Sequence, residues 1–329
     1  MFTDMSETDL WNYRSSVPNP DDFDTFWDST LAEAAEHDLD VQVEPYESGL
    51  ATVTVWDVTF SGFGGDRIKA WLLLPAAASG PLPVVVEYVG YGGGRGNPLE
   101  SLLWSSAGYA HLLMDSRGQG AAHHRGSTPD TGATGPAFPG VMTRGIERPE
   151  DYYYRRLFTD AVRAVDAAKA LPQVDPERVA IVGGSQGGAM VLAVAGLRSD
   201  LSAAVAYVPF LSDIRRATEI TDNMPYREIA SYLAVQRDRV EQVFTTLAYF
   251  DGVNFARRAT VPVWYSAALM DPVCPPSTVF ASFSEYAGPK QITVWPYNAH
   301  EGGAIEDAVI AMEAIGGVFA SSGEDTKVS

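Results

Sequence analysis

Val179-Ala180-Ile181-Val182-Gly183-Gly184-Ser185-Gln186-Gly187-Gly188 reads as a buried strand that runs into a sharp turn. Four apolar residues, three of them β-branched, suit a strand covered on both faces. Small residues then flank one serine, and a helix-forming run follows from Ala189 to Leu197. This is Gly-x-Ser-x-Gly between a strand and a helix, the context in which a serine is lifted clear of a sheet. Side chains at Gly183 or Gly187 would crowd so tight a turn. The first amides of the following helix then point at whatever the hydroxyl attacks.

The chain around it alternates strands and helices. Pro83 to Val89, Tyr109 to Met114, Ser202 to Val208, Val261 to Ala267 and Gln291 to Trp295 read as further strands. Helical patterns separate them, at Pro98 to Ala107, Tyr152 to Leu171, Pro275 to Tyr286 and Gly302 to Phe319, with a disordered tail after the last. That alternation predicts an α/β fold: a mostly parallel central sheet with helices on both faces. Before it, residues 1–20 read as a wrapping loop, a helix is expected over 23–36, and Val53 to Phe60 pairs with Arg67 to Leu74 as a hairpin. Residues 121–151 are rich in Gly, Pro, Thr and His, lack periodicity and form a long loop. Residues 209–250 read as helical, with a new helix starting at Met224-Pro225-Tyr226, and interrupt the alternation, so they are expected to form an insertion or lid. The expected organisation is one domain over 1–329, with residues 1–75 as an N-terminal extension.

Ligands of such sheets bind at the carboxyl ends of the strands. Four chemically suggestive segments fall there, after Val89, Met114, Val182 and Leu269. Gly90-Tyr91-Gly92-Gly93-Gly94-Arg95-Gly96 does not fit Gly-x-Gly-x-x-Gly, so it is no dinucleotide fingerprint; it is a turn with backbone amides available to a ligand.

A serine hydroxyl is a weak nucleophile until a base takes its proton. Of the five histidines, His37 lies in a polar stretch and His111 inside a strand. His300 follows a strand end and fits the order serine, acid, histidine. His123 and His124 in the long loop are the alternatives. Asp271 follows the strand ending near Ala267 and is the expected acid, with Asp213 and Asp251 as the other aspartates considered between serine and histidine. Oxyanion donors are expected from the amide of Gln186 and from the Gly90-Tyr91 turn. Arg117 and Gln119 read as supports of the site, or Arg117 as an anchor for a substrate carboxylate.

Composition narrows the partners. The 329 residues are 46% hydrophobic and carry a net charge of −19, which argues against nucleic acid and anionic membranes. Cys274 is the only cysteine, so no internal disulfide forms. The acidic start shows no signal peptide and the chain no transmembrane span, so a cytoplasmic protein is expected.

Arg117-Gly118-Gln119, Gly183-Gly184-Ser185-Gln186-Gly187 and His300-Glu301, in that order, resemble the acetyl xylan esterase and cephalosporin C deacetylase family, carbohydrate esterase family seven. The Gly90–Gly96 loop, Asp22-Phe23-Asp24-Thr25-Phe26-Trp27 and Tyr153-Tyr154-Arg155-Arg156 are similar too, and the likeness runs from about residue 10 to 320. The resemblance implies an α/β-hydrolase fold without cofactor or metal. It implies Ser185, Asp271 and His300 as triad, the Tyr91 and Gln186 amides as oxyanion hole, and Glu301 as support. It implies an acyl pocket walled by Tyr91, Phe210, Pro225 and Val273. Further, it implies a homo-hexamer, a trimer of dimers, acting on small acetylated carbohydrates, other acetate esters and cephalosporin C. His123-His124 is a departure from the family pattern. A peptidase or amide hydrolase on the same fold is the alternative activity.

Overall fold

The computed structural model describes residues 4–132, 135 and 137–324. One sheet of nine strands organises them: β1 (Gln42–Tyr46), β2 (Val53–Ser61), β3 (Arg67–Pro75), β4 (Leu82–Tyr88), β5 (Ala110–Met114), β6 (Val174–Gly184), β7 (Ala203–Tyr207), β8 (Val263–Ala268) and β9 (Lys290–Trp295). Their order across the sheet is β1-β2-β3-β5-β4-β6-β7-β8-β9. The pairs from β5 through β9 are all parallel, while β1, β2 and β3 join antiparallel at one edge. This is an α/β-hydrolase fold, as expected.

Alternation along β6 explains the layers. Val179 and Ile181 face the larger core, shared with α4 (Tyr153–Lys169) and α5 (Gln186–Leu197). Ala180 and Val182 face the opposite side, where Ala311, Ile315 and Phe319 of the closing helix α11 (Ile305–Glu324) pack with Trp104. A strand buried on both faces needs no polar residues, and β6 has none from Val179 to Val182. α5 is apolar nearly all round and buries every residue from Gln186 to Ala195, so it sits inside the molecule rather than on its surface.

Several boundaries differ from the sequence reading. Residues 1–20 were expected as a loop, yet Glu7–Asn12 forms a short helix, α1, with Ser6 capping it, while α2 (Phe23–Ala35) lies where expected. The hairpin is extended by β1, whose Pro45 and exposed Glu44 gave no strand signal. The helix expected over Pro98 to Ala107 is broken into a 3₁₀ turn, Pro98–Glu100, and one turn of helix, α3 (Leu103–Ser106), because the Asn97–Glu100 capping box closes the first turn on itself. β6 starts at Val174 rather than Val179, passing through Pro176. Within 209–250 a new helix starts at Tyr226 as expected, but the stretch divides further than that: it holds α6 (Ile214–Ile220), α7 (Tyr226–Val235) and α8 (Val240–Ala248), followed by α9 (Gly252–Ala256). Helix α10 (Pro276–Glu285) lies where expected. The closing helix begins at Ile305, not Gly302, and continues to Glu324; the tail expected to be disordered lies, from residue 325, outside the described residues. Among the described residues no helix is long and apolar enough to cross a membrane.

Candidate active site

Ser185 occupies the turn between β6 and α5 with φ 55° and ψ −116°, a strained conformation for a residue with a side chain. The surroundings hold it there. Its N–H donates to the Tyr207 carbonyl at 2.9 Å, and its carbonyl accepts from Phe210 and Ala189, each at 3.0 Å. A Cβ at Gly183 would overlap the Gly187 backbone, and one at Gly187 would overlap the Tyr88 carbonyl, so only glycine fits either position.

The carboxyl ends of β8 and β9 bring the other two groups. His300 Nε2 lies 3.0 Å from Ser185 Oγ, and its Nδ1 lies 2.8 Å from Asp271 Oδ2. Asp271 is fully buried, and its Oδ1 accepts the Val273 and Cys274 amides at 2.8 and 2.9 Å. With Oδ2 left for the imidazole, Nδ1 is the donor and the Nε2 lone pair faces the serine. The arrangement lets a proton pass from Ser185 to His300 as Oγ attacks an electrophile. Glu301 Oε1 accepts Ala299 N–H at 3.1 Å and Asn298 Nδ2–H at 3.2 Å, closing the turn that presents His300. The backbone amides of Glu301 and Ala299 hold its carboxyl below the usual carboxylate range.

Facing the serine is a wall held by side chains from distant parts of the chain. Gln119 Oε1 accepts Gly92 N–H at 2.6 Å; its Nε2 donates to Gln186 Oε1 at 2.9 Å and to Tyr153 Oη at 2.8 Å. One amide side chain thus ties the segments bearing the Tyr91 and Gln186 N–H groups. Tyr154 donates a further bond to Gln186 Oε1 at 3.0 Å. The Tyr91 hydroxyl donates to Glu228 Oε1 at 2.5 Å and accepts Val141 N–H at 2.9 Å, while His123 Nε2 sits 3.0 Å from its carbonyl oxygen. Burial raises the Tyr91 phenol and the Glu228 carboxyl above their ordinary values.

Arg117 is a support and nothing more. It is fully buried, with Nε and Nη2 on Asp160 at 2.5 and 2.7 Å and Nη1 on Asp66 at 2.8 Å. A guanidinium fully buried against two aspartates is closed to a substrate carboxylate. Asp213 and Asp251 are committed elsewhere: Asp251 accepts three backbone amides, of Asp213 and Ile214 at the start of α6 and of Val253 in α9, and Asp213 accepts from Tyr13. His111 is buried in β5 between Glu87 and the Ser101 carbonyl. Of the four residues expected as acyl-pocket walls, Tyr91 and Phe210 meet edge to face at 6.4 Å, Phe210 packs on Tyr226 beside the buried Pro225, and Val273 follows Asp271 half-buried.

Glu228, Tyr154 and His123 are the residues that sequence reasoning did not place in this wall. Glu228 carries no local signal, standing in an amphipathic helix like any solvent-facing glutamate. Among the described residues one group of metal-type ligand atoms occurs, Asp271, Cys274 and His300, which is the acid–imidazole pair with a buried thiol beside it. Burial pushes the Cys274 thiol up, away from thiolate.

Comparison with known proteins gives the family. Residues 1–312 match the family model for acetyl xylan esterase (AXE1). The acetyl xylan esterase from Paenibacillus sp. R4 is 38% identical, with a TM-score of 0.88 over 94% of this chain and 99% of that one. Acetyl xylan esterase 1 from Thermoanaerobacterium sp. JW/SL YS485 is 32% identical, with a TM-score of 0.88 over 95% of this chain and 99% of that one. The acetyl esterase Axe7A of Xylanibacter ruminicola is 31% identical over 297 residues; the match covers 86% of this chain and 64% of that longer protein. This chain belongs to the acetyl xylan esterase family.

Proposed function

We propose that this chain is a serine acetyl esterase. It removes acetyl groups from small acetylated carbohydrates such as xylo-oligosaccharides, and from other acetate esters including cephalosporin C. The observation that carries the reading is the unbroken line from Ser185 Oγ to His300 to Asp271, at 3.0 and 2.8 Å.

The chemistry runs in two halves. Ser185 Oγ attacks the acetyl carbonyl while His300 Nε2 takes its proton. The carbonyl oxygen becomes an oxyanion, received by the amides of Tyr91 and Gln186. Asp271 steadies the imidazolium by accepting from Nδ1. The tetrahedral adduct collapses, the C–O bond to the sugar breaks, and His300 returns the proton to the departing oxygen. The acetyl group is left on Ser185. Water, deprotonated by the same imidazole, then attacks that ester and releases acetate and free serine.

In this reading Tyr91, Phe210, Pro225 and Val273 wall a pocket sized for a methyl group, so butyrate and longer esters react far more slowly than acetates. The working assembly is a homo-hexamer built as a trimer of dimers, and the protein acts in the cytoplasm. Sedimentation of the purified protein at its hexameric mass, and recovery of activity in the cytosolic fraction, check those two points.

Replacing Ser185 by Ala tests the core of the proposal. Turnover of p-nitrophenyl acetate should drop by about 10⁴- to 10⁶-fold with circular dichroism unchanged. A folded variant that keeps wild-type turnover defeats the reading.

A further inference from the structure

The chemistry just proposed assigns the alcohol half of the substrate to one side of the serine. The leaving oxygen takes its proton from His300 Nε2, so the sugar lies on the His300 side while the carbonyl oxygen points to the opposite wall. On the His300 side a shallow pocket of about 310 Å³ opens, bounded by Ser185, His300 and Tyr207. It meets a second lobe of about 300 Å³ at Gly184. The two lobes together fall in the size range of small-molecule sites.

The second lobe is lined by Glu87, Glu100, Ser101, His123 and His124. Its two carboxylates and the His124 ring keep bonding capacity, although one Glu100 oxygen accepts the Asn97 amide. Glu87 Oε2 meets His111 Nε2 at 2.9 Å, and the glutamate side chain stays one-third exposed. Glu100 and His124 stand 3.9 Å apart, each about half exposed. The one arginine in the lining, Arg95, has its guanidinium on Asp57 and on the Ala70 carbonyl. His123 is held between His124 Nδ1 at 3.1 Å and the Tyr91 carbonyl at 3.0 Å, so the lobe offers carboxylate acceptors, the Nε2 of His124 and a hydroxyl, but no available guanidinium or ammonium. Such a surface bonds the vicinal hydroxyls of a neutral sugar and repels an anion.

We propose that this second lobe holds the sugar unit next to the acetylated one, and that it selects neutral polyhydroxylated alcohols over anionic ones. The proposal rests on the esterase reading of Ser185 and assigns its substrate preference. It ranks acetylated xylo-oligosaccharides above acetate esters that carry a carboxylate, cephalosporin C among them.

Two measurements test it. In the first, His124→Ala and Glu100→Gln are assayed on acetylated xylobiose and on p-nitrophenyl acetate, whose aryl group ends in the first lobe. The ratio of kcat/KM, disaccharide over aryl ester, should fall about tenfold, the worth of one lost hydrogen bond to a charged group. An unchanged ratio, including one in which both substrates lose equally, overturns the proposal. The second uses the wild-type protein with acetylated xylobiose and an acetylated disaccharide of the same size whose unacetylated unit is a uronic acid. The anion should show the higher KM at low salt, and the gap should narrow at about 0.5 M NaCl as the carboxylates are screened. A gap that ignores salt counts against the lobe. Wild-type protein inert toward p-nitrophenyl acetate would instead defeat the esterase reading itself, and this proposal with it.

Discussion

The line from Ser185 to Asp271 and the wall that faces it are built in opposite ways. Each group of the line is held mainly by backbone close by in the chain or on the next strand. The Ser185 carbonyl takes amides from Ala189 and Phe210; Asp271 takes amides two and three residues on; Glu301 closes the turn just before His300. The wall is held through side chains that reach partners 27 to 137 positions away: Gln119 on Gly92, His123 on the Tyr91 carbonyl, and the Tyr91 hydroxyl on Glu228 and the Val141 amide. A locally built group fails alone when it is changed. A wall tied through one amide side chain fails as a unit, and its single substitutions do not add.

The largest effect belongs to the line. Asp271→Asn keeps the shape of the side chain but disfavours the tautomer that leaves Nε2 free to accept, and should lower kcat on p-nitrophenyl acetate by about 10⁴-fold. Steady-state kinetics beside a melting curve checks it. A loss under tenfold would mean that His300 is oriented by something other than Asp271.

Gln119 comes next and tests the wall as a unit. Gln119→Ala removes the bonds to Gly92, Gln186 and Tyr153 together. The expected loss in kcat is about 10²- to 10³-fold, the size of one missing oxyanion donor. Affinity for a boronic-acid analogue of the tetrahedral adduct should fall by a like factor while KM changes little. A rise in KM without loss of kcat would show that Gln119 serves substrate binding instead.

That difference in construction also explains what the sequence disclosed. The strand before Ser185, the turn glycines and the strand-end positions of Asp271 and His300 are local features, and local periodicity and turn chemistry expose them. The sheet was legible from Pro83 onward for the same reason. The wall was half legible. Gln119 could be suspected from its place after a strand, but Glu228 could not: α7 shows an ordinary amphipathic pattern, and nothing in Tyr226–Val235 announces that one carboxylate turns inward to a tyrosine far away in the chain. β1 escaped because pairing with β2 along a mostly exposed edge asks for no alternation. The broken helix after Asn97 escaped because a capping box closes a 3₁₀ turn as readily as it starts an α-helix.

A smaller effect is expected from the Tyr91 hydroxyl. Tyr91→Phe leaves the Glu228 carboxylate and the Val141 amide without that partner, a cost of about 1–3 kcal/mol in stability. Activity should fall by about tenfold, because the backbone amide of residue 91 remains and only its anchoring is loosened. Differential scanning calorimetry and kinetics on one preparation separate the two losses. A variant with full activity and a lowered melting temperature would assign the hydroxyl to folding alone.

The smallest effect is a dependence on pH, and its sign follows from burial. Glu228 is largely desolvated, which raises its carboxyl despite the bonds from Tyr91 and the Met142 amide. A carboxyl raised in the folded state contributes stability that is present below its unfolded value, about 4.3, and is lost as pH climbs through the folded one. Glu228→Gln cannot titrate. It still accepts from Tyr91 but presents an N–H where the carboxylate accepted from Met142, a cost that does not vary with pH. The melting temperature of the wild type minus that of the variant should therefore decline as pH rises above the unfolded value. A difference that grows with pH would mean that the Tyr91 and Met142 bonds outweigh desolvation, and that the wall is anchored on a carboxylate comfortable in its charge.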